Sequence, residues 1–345
     1  MNRTRTYILF ALAGIVVGGA LPALLYGFAS RSMTNGMIMG IAIAVTLAYL
    51  DLEILARRLR RIPFLSALVV RTTLQIAVVV FYAVFFELGL RMIRDGSSLL
   101  QAYREPSTQQ FLFGGDLLYI VVYALTAAFL INMIRQMSRM LGQNVLINMV
   151  IGRYARPIEE ERIFMFLDLD ASTTLAERLG NIRFHELIDD YIFDITPAIV
   201  ESRGEIYQYV GDEIVVTWKL DSHHRSTGNC LECFFRICRI MDELSPKYLQ
   251  KYGMVPGFKA GMHCGTVIAG QIGDVKQEIV FQGDVVNTSS RIKEKCHSLG
   301  AIILVSRELL DALPMERLPY HADRVGSFLL KGKEHEVELY SVAAA

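Results

Sequence analysis

Four apolar stretches fill most of the first 134 residues, and no stretch of similar length follows them. They lie at about residues 7–29, 33–50, 64–90 and 117–133. A helix needs roughly 20 mainly apolar residues to cross a bilayer, and the first and third stretches meet that length easily. The first is also too long for a signal peptide and lacks a clean small-residue cleavage site. Residues 1–134 are therefore predicted to form a four-helix transmembrane region.

Charge divides the chain at nearly the same place. Residues 1–150 hold thirteen Arg, no Lys and six acidic residues, a net charge of +7. The remainder carries −7, because the whole chain balances 35 basic against 35 acidic residues. The N-terminal part is basic and apolar, and the C-terminal part is acidic with an ordinary composition. This combination excludes a disordered chain, a disulfide scaffold and a nucleic-acid-binding protein with a basic body.

The arginines also predict how the four helices are oriented. Short loops on the cytoplasmic side of a membrane protein carry an excess of Lys and Arg. Eight flanking arginines fall on the side that holds both termini, and four fall on the other side, at Arg31, Arg91, Arg94 and Arg104. We therefore expect a multi-pass protein of the inner cell membrane whose termini and C-terminal domain are cytoplasmic.

One positive charge lies inside the third apolar stretch, at Arg71. It is close to the start of that stretch, so the favoured interpretation is a side chain that extends to the membrane surface. The alternative is a buried charge with a functional role.

Residues 135–160 form the predicted link between the membrane region and the C-terminal domain. Apolar residues recur every four positions in it, at Met137, Leu141, Val145 and Met149. This spacing predicts an amphipathic helix, which ends near Pro157. The helix either packs on its own domain or pairs with the helix of a second copy, and the sequence leaves both possibilities open.

Residues 161–345 alternate between predicted strands and helices. Strands are expected at 163–169, 205–210, 214–218, 258–264, 267–272, 302–305, 324–330 and 337–342. Helices are expected at 171–179, 184–200, 224–252 and 284–297. The order strand, helix, hairpin, helix, strand is typical of a ferredoxin-like, split βαβ domain of the α+β class.

Two carboxylates occupy strand ends in this layout. Asp168 closes the first buried strand, and Asp212 lies in the turn of the hairpin. If the two strands are neighbours, the carboxylates converge and can bind Mg²⁺ together with substrate phosphates. The small residues 171–174 open the next helix, whose free N–H groups suit a polyphosphate. An Asp in a hairpin turn is also ordinary turn chemistry, so the convergence is the decisive point.

Five segments of this half, in this order and spacing, resemble the class III nucleotidyl cyclases over about residues 160–342. The first two resemble the segments that carry the metal aspartates, the third a glycine-punctuated hairpin, the fourth the helix of the transition-state Asn and Arg, and the last the closing strand pair. These segments are Phe166–Leu169, Tyr209–Asp212, Gly261–Gly270, Gly283–Ile292, and Leu330–Lys333 with Val337–Tyr340.

The resemblance implies a membrane-bound adenylate cyclase of cyclic-nucleotide signalling. It would convert ATP to 3′,5′-cyclic AMP and pyrophosphate by attack of the ribose 3′-oxygen on the α-phosphate. Asp168, Asp212 and the carbonyl of Leu169 would ligate two Mg²⁺ or Mn²⁺ ions per site. Such ions can stabilise the attacking and the leaving oxygen.

Other roles follow from the same resemblance. Asn287 would orient the ribose and Arg291 would stabilise charge on the α-phosphate; the two lie one helical turn apart and face the same way. Thr173, Lys331 and Lys333 are assigned to substrate binding, although exposed Lys in a strand turn is often simply solvated. In this family the metal aspartates and the Asn–Arg pair come from different subunits, which implies a homodimer with two shared sites.

The positions that read the purine depart from the family pattern. Adenylyl cyclases usually place Lys at the position of Gln208, and Asp or Thr at the position of Val280. Guanylyl cyclases usually place Glu and a small polar residue there. Gln208 can donate and accept hydrogen bonds, so it suits adenine and guanine alike. ATP is favoured because bacterial membrane cyclases usually use it, and a guanylate cyclase that uses GTP is the alternative.

Two further functions are weaker alternatives. The first is a catalytically silent, nucleotide-binding or dimerisation module under a membrane sensor. The second is a diguanylate cyclase, suggested by Gly211–Glu213, but the chain lacks the Gly-Gly-Asp-Glu-Phe turn of that family and Asn287 with Arg291 would stay unexplained.

Several chemistry-bearing residues are interpreted as structural. Cys230 and Cys233 lie near His223 and His224, but no second ligand pair follows at the spacing of a zinc site, so the thiols are expected to be core or surface residues. His263 is expected to be structural within a strand. Glu205 and Glu213, which flank the hairpin, are expected to face solvent.

Overall fold

The computed structural model describes residues 3–26, 30–55, 62–142, 145–220 and 228–345. The chain falls into two units, residues 2–137 and residues 138–345. The first unit is helical, and the second combines helices with one large sheet.

Each of the four predicted apolar stretches is helical where it is described. The helices of this unit are α1 (Arg3–Tyr26), α2 (Ser30–Tyr49) with a π-helical extension (Leu50–Leu55), α3 (Phe64–Asp95), α4 (Leu99–Arg104), α5 (Pro106–Phe113) and α6 (Asp116–Leu141). Two described segments are long and apolar enough to cross a membrane, Phe64–Asp95 and Pro106–Ser138. The apolar parts of the other two, Phe10–Ala20 and Thr34–Tyr49, are shorter. The four-helix membrane region therefore stays a prediction.

Glycines allow α1 and α2 to approach each other closely. A Cβ atom added to Gly14 would collide with the backbone of Gly40, and one added to Gly18 would collide with that of Gly36. Small residues at this spacing let two helix backbones pack tightly, which is common between membrane helices.

Arg71 has an ionic partner inside this unit. Its Nε atom lies 4.0 Å from Oδ1 of Asp51 at the end of α2, and Arg135 of α6 also pairs with Asp51. Asp51 therefore connects three helices through ion pairs. An Arg71 side chain that simply extended to the membrane surface would not need this partner.

The second unit begins with the end of α6 and the short helix α7 (Val145–Val150). Its strands are β1 (Ile158–Leu169), β2 (Glu205–Val210), β3 (Glu213–Lys219), β4 (Phe258–Ile272), β5 (Glu278–Gln282), β6 (Ile303–Ser306), β7 (Tyr320–Phe328) and β8 (Val337–Ala344). Its other helices are α8 (Ser172–Leu179), α9 (Asn181–Glu201), α10 (Asn229–Glu243), α11 (Ser245–Tyr252), α12 (Asp284–Leu299) and α13 (Arg307–Ala312), followed by a 3₁₀ turn (Met315–Arg317).

The strands form one sheet in the order β2-β3-β1-β4-β6-β8-β7, and β5 pairs with β4. The pairing of β4 with β6 is parallel and the other pairs are antiparallel. Side chains of β1 alternate between the two faces of the sheet. Ile163, Met165 and Leu167 pack in the main core with α9 and α10, whereas Phe164 and Phe166 pack on the other side with Val285 of α12. The fold is the predicted α+β class.

The segment around Gly265 differs from the prediction of two strands and a hairpin. It is one 15-residue strand, β4, because Gly265 continues the pairing with β1 opposite Arg162, at a φ of 157°. The hairpin in this region joins β4 to β5, a short strand that the sequence did not predict.

Gly261 has a different function: a Cβ atom there would collide with the backbone of Lys293, so glycine lets β4 lie directly against α12.

The end of the predicted link packs on its own domain. Tyr154, which follows α7, is buried, and its carbonyl oxygen accepts a hydrogen bond of 3.0 Å from the backbone N–H of Gln271. Its hydroxyl donates to Glu160 at 3.1 Å. Residues 143 and 144 of the predicted amphipathic helix lie outside the described residues.

Candidate active site

The two candidate metal-binding carboxylates come from adjacent strands, as predicted. β1 and β3 pair directly, with Leu167 opposite Ile214. Asp168 is the next residue of β1, and Asp212 lies in the turn that leads into β3. That turn begins at Gly211, whose φ of 65° is a left-handed conformation that glycine adopts without strain.

One carboxylate oxygen of Asp212, Oδ2, is buried without a hydrogen-bond partner among the described residues. Burial, followed by the negative charge of Asp168, raises the pKa of Asp212 above its ordinary value. A buried carboxylate oxygen with a second carboxylate beside it is a place where a cation is stabilised.

Lys293 of α12 supplies a positive charge at this place. Its Nζ atom lies 2.8 Å from Oδ2 of Asp168 and 2.9 Å from Oε2 of Glu213. Burial alone would lower the pKa of Lys293, but its hydrogen bonds to the two carboxylates outweigh that effect and raise the pKa. Burial raises the pKa of Glu213, against the opposing hydrogen bond from Lys293.

The prediction that Glu213 and Glu205 face solvent is wrong. The side chain of Glu213 is only 14% exposed because it pairs with Lys293. Glu205 accepts a hydrogen bond of 2.9 Å from Arg162, whose own side chain is 1% exposed. Lys293 was not among the site residues predicted from the sequence. Its spacing held a signal, since Lys293 follows Val285 and Ser289 at intervals of four residues, and both are buried against the sheet.

Asn287 and Arg291 lie on another face of α12. Consecutive residues of a helix are 100° apart, so Arg291 and Lys293 point in nearly opposite directions. Asn287 is exposed. A Cβ atom added to Gly332 would lie 3.4 Å from both terminal nitrogens of Arg291, so the loop between β7 and β8 passes beside its guanidinium group.

The same loop carries the two candidate triphosphate-binding lysines. Lys333 pairs with Asp284 in the first turn of α12, and Lys331 is exposed. Thr173 is exposed in the first turn of α8, close in sequence to Asp168. Leu169 is buried and lies opposite Phe258 of β4. The structure thus separates the predicted residues into a carboxylate group around Lys293 and a second group beside Arg291.

The candidate purine-reading residues lie on two strands that meet through an aromatic contact. The rings of Tyr207 on β2 and Phe281 on β5 are 5.1 Å apart, and the Phe281 N–H donates to the Tyr207 hydroxyl. Gln208 and Val280 are their immediate neighbours in the chain. Gln208 lies opposite Val215 of β3, after a bulge in β2, and Val280 lies opposite Gly270 of β4.

The donors at Asp168 and Asp212 fit a hard divalent cation. Mg²⁺ is commonly bound by one or two carboxylates, completed by water and substrate phosphates, and the buried free oxygen of Asp212 provides such a ligand. Within the described ranges, no set of three or more His, Cys, Asp or Glu side chains is arranged around a metal position. A cation bound at these two carboxylates would take its other ligands from backbone, water or substrate oxygens.

Cys230, Cys233 and His263 are buried residues of the domain. Cys230 and Cys233 are buried in the main core, where burial raises the pKa of each thiol to about 12. His223 and His224, considered above as zinc ligands, lie outside the described residues. His263 is buried and hydrogen-bonds through Nδ1 to the hydroxyl of Ser306 at 2.7 Å.

Solved structures of adenylyl cyclases share this fold. The adenylyl cyclase CyaB from P. aeruginosa superposes with a TM-score of 0.50 at 19% identity, over 55% of this chain and 97% of that chain. A bacterial light-regulated adenylyl cyclase superposes with a TM-score of 0.54 at 19% identity, over 63% of this chain and 64% of that chain.

Sequence comparison extends the likeness. Adenylate cyclase 2 of Rhizobium meliloti (strain 1021) is 34% identical over 229 residues, which cover 66% of this chain and 62% of that protein. This chain therefore spans less than two thirds of that relative. The family model of the adenylate and guanylate cyclase catalytic domain matches residues 155–344. Because this match covers more than half of the chain, the protein belongs to the family of adenylate and guanylate cyclase catalytic domains.

Proposed function

We propose that the protein is a membrane-anchored adenylate cyclase, which converts ATP to 3′,5′-cyclic AMP and pyrophosphate. The observation that carries the proposal is the pair formed by Asp168 and Asp212, in which a buried carboxylate oxygen has no partner among the described residues. Family membership supports a cyclic nucleotide as the product, and the adenylate cyclase relative supports adenine as the base.

Asp168, Asp212 and the carbonyl of Leu169 would hold two Mg²⁺ or Mn²⁺ ions. When bound, such ions supply positive charge at the attacking and leaving oxygens. Arg291 stabilises the negative charge that grows on the α-phosphate, and Asn287 orients the ribose so that its 3′-oxygen faces that phosphorus. Positioning and charge of this kind account for most of the rate enhancement in phosphoryl transfer.

The remaining candidate residues bind the substrate. Thr173 and the loop lysines Lys331 and Lys333 contact the triphosphate, with Lys333 exchanging Asp284 for a phosphate oxygen. Gln208 on β2 and Val280 on β5 contact the purine. GTP is the alternative substrate, because Gln208 has both a donor and an acceptor.

Each active site is shared between two copies of the chain. Asn287 and Arg291 point away from the side of α12 that contacts Asp168, so one chain presents its carboxylates and its Asn–Arg pair in different directions. A head-to-tail homodimer would unite the carboxylates of one copy with Asn287 and Arg291 of the other. Two sites result from one interface.

Residues 1–134 anchor the enzyme in the inner cell membrane with both termini in the cytoplasm, and residues 135–160 link them to the catalytic domain at 161–345. The two long apolar helices and the distribution of arginines support this arrangement. A reporter fused after Ala345 should be cytoplasmic, and one inserted near Ser98 should be outside.

The test is product formation by the purified full-length chain with Mn²⁺, measured separately with ATP and GTP. Cyclic AMP should be the main product, and Asp212→Asn should abolish it. Cyclic GMP as the main product would indicate the guanylate cyclase instead. Absence of both products in a folded, dimeric preparation would indicate the catalytically silent module.

A further inference from the structure

Lys293 contacts one of the two carboxylate oxygens of Asp168, a proposed metal ligand. Its Nζ atom is 2.8 Å from Oδ2 of Asp168, and the lysine side chain is only 17% exposed. An ammonium group this close to a carboxylate competes with a divalent cation for the same oxygen, and the two positive charges repel each other strongly in a partly buried site. Lys293 must therefore leave Asp168, or weaken its contact, when a cation binds.

Glu213 is a second carboxylate partner for Lys293. Its Oε2 atom is already 2.9 Å from Nζ, and Glu213 is outside the proposed ligand set. The lysine can release Asp168 and keep one charged hydrogen bond, so that it does not become a buried ammonium group without a partner.

The backbone of α12 is held in place at this point. A Cβ atom on Gly261 would collide with the backbone nitrogen of Lys293, so β4 and the helix are already in contact. The helix has no room to move toward the sheet, and the adjustment falls to the long side chain of Lys293.

From these contacts we infer that Lys293 is a positioning residue that holds Asp168 in the metal-free site and retreats to Glu213 when a divalent cation binds. It thereby sets the affinity of the site for that cation. The inference rests on the proposed function, because it takes Asp168 as a metal ligand.

Mn²⁺ binding to the purified full-length chain, followed by electron paramagnetic resonance of the free ion, tests this without reference to activity. Lys293→Met should tighten binding by about tenfold, the effect of removing one competing charged hydrogen bond. Glu213→Gln should weaken Mn²⁺ binding. Of the two carboxylates that Lys293 contacts, only Asp168 then remains, so the lysine stays on the proposed metal ligand. In the Lys293→Met background, Glu213→Gln should have little further effect. Lys295→Met, on the same helix, is the matched control and should bind Mn²⁺ as the wild type does.

Two results would overturn the inference. One is a Lys293→Met protein that binds Mn²⁺ no more tightly than the wild type. The other is an equal loss from Glu213→Gln in both backgrounds, which would mean that Glu213 acts on the cation without Lys293. Lys293→Gln is the substitute if the methionine variant does not fold, and it should tighten binding in the same direction.

The same measurements separate this inference from the proposed function. If Lys293→Met binds Mn²⁺ more tightly but the wild-type protein forms no cyclic nucleotide, the role of Lys293 is supported and the cyclase is refuted. Cyclic AMP formation combined with unchanged Mn²⁺ binding in Lys293→Met would support the cyclase and refute the role of Lys293.

Discussion

Gly261→Ala should destabilise the catalytic domain far more than the loss of a glycine ordinarily does. The added Cβ atom would lie 2.7 Å from the Cα atom of Lys293 and 2.7 Å from the carbonyl oxygen of Ser289, both in the backbone of α12. Neither contact can be relieved by a change of rotamer, so the strand and the helix must separate. Overpacking of a core costs about 1–3 kcal/mol, and a clash with two backbone atoms of the same helix belongs at the upper end.

That cost can be measured in the full-length protein because the chain has a single tryptophan. Trp218 is 2% exposed and donates a hydrogen bond of 3.0 Å from Nε1 to the carbonyl of Ser202, so its fluorescence reports the unfolding of the catalytic domain. A loss of 1 kcal/mol lowers Tm by about 2–4 °C in a domain of 150–250 residues. A loss of about 3 kcal/mol therefore predicts a Tm about 6–12 °C lower.

Gly270→Ala is the matched control. It lies on the same strand, and its added Cβ atom would meet Pro157 at 3.6 Å, an ordinary van der Waals distance. Its Tm should stay close to that of the wild type. If Gly261→Ala melts within about 2 °C of Gly270→Ala, less than the shift expected for 1 kcal/mol, the close contact between β4 and α12 is not rigid and the reasoning fails.

Three other tests, with four substitutions, probe the site and its support. Asp212→Ala and Arg291→Ala should each be inactive as homodimers, and mixing them should restore cyclic AMP formation because one of the two shared sites is then intact. Asp190→Asn should lower the free energy of unfolding at neutral pH by about 1.5–3 kcal/mol, since Asp190 accepts hydrogen bonds from Lys251 and Tyr252. Burial alone would raise the pKa of Asp190, but these hydrogen bonds outweigh burial and hold the pKa below its ordinary value. The stabilisation is therefore complete above the ordinary pKa and is lost as the pH falls through the folded pKa. Gln208→Lys should raise the preference for ATP over GTP by about tenfold, because a lysine donates only and leaves the N1–H of guanine unpaired.

Each of these tests has a control. Asp168→Ala mixed with Asp212→Ala should stay inactive, because both changes damage the same half of the site; failure of the Asp212 and Arg291 variants to complement in proven mixed dimers would refute the shared site. A wild-type stability that matches Asp190→Asn at every pH would contradict the role of Asp190. If Gln208→Lys leaves the ratio of cyclic AMP to cyclic GMP unchanged, the base is read elsewhere.

The convergence of Asp168 and Asp212 could be predicted because it depends on short-range features. A buried apolar strand that ends in Asp and a hairpin turn that contains Asp meet whenever the two strands pair, and β1 and β3 do pair. The helix of Asn287 and Arg291 was likewise visible from local spacing. The functional roles of these residues stay predictions.

Other parts depend on contacts between distant segments. The sequence predicted separate strands on either side of Gly265, but the pairing of β4 with β1 continues through this residue. The short strand β5 exists because β4 continues far enough to pair with it. The contact of Lys293 with Asp168 joins residues that are 125 positions apart, so only the buried register of Val285 and Ser289 could have indicated which way the lysine points.

Helix α12 has a consequence for the dimer as a whole. One face of it holds Lys293 against the chain's own carboxylates, and another face presents Asn287 and Arg291, which in the proposed dimer serve the opposite site. Each α12 helix of the dimer then contributes residues to both active sites. If cation binding at one centre changes how its helix presents Arg291 to the other, thermodynamic linkage requires that nucleotide bound at the second centre change the cation affinity of the first by the same factor. The two centres would then work as partners in one allosteric unit.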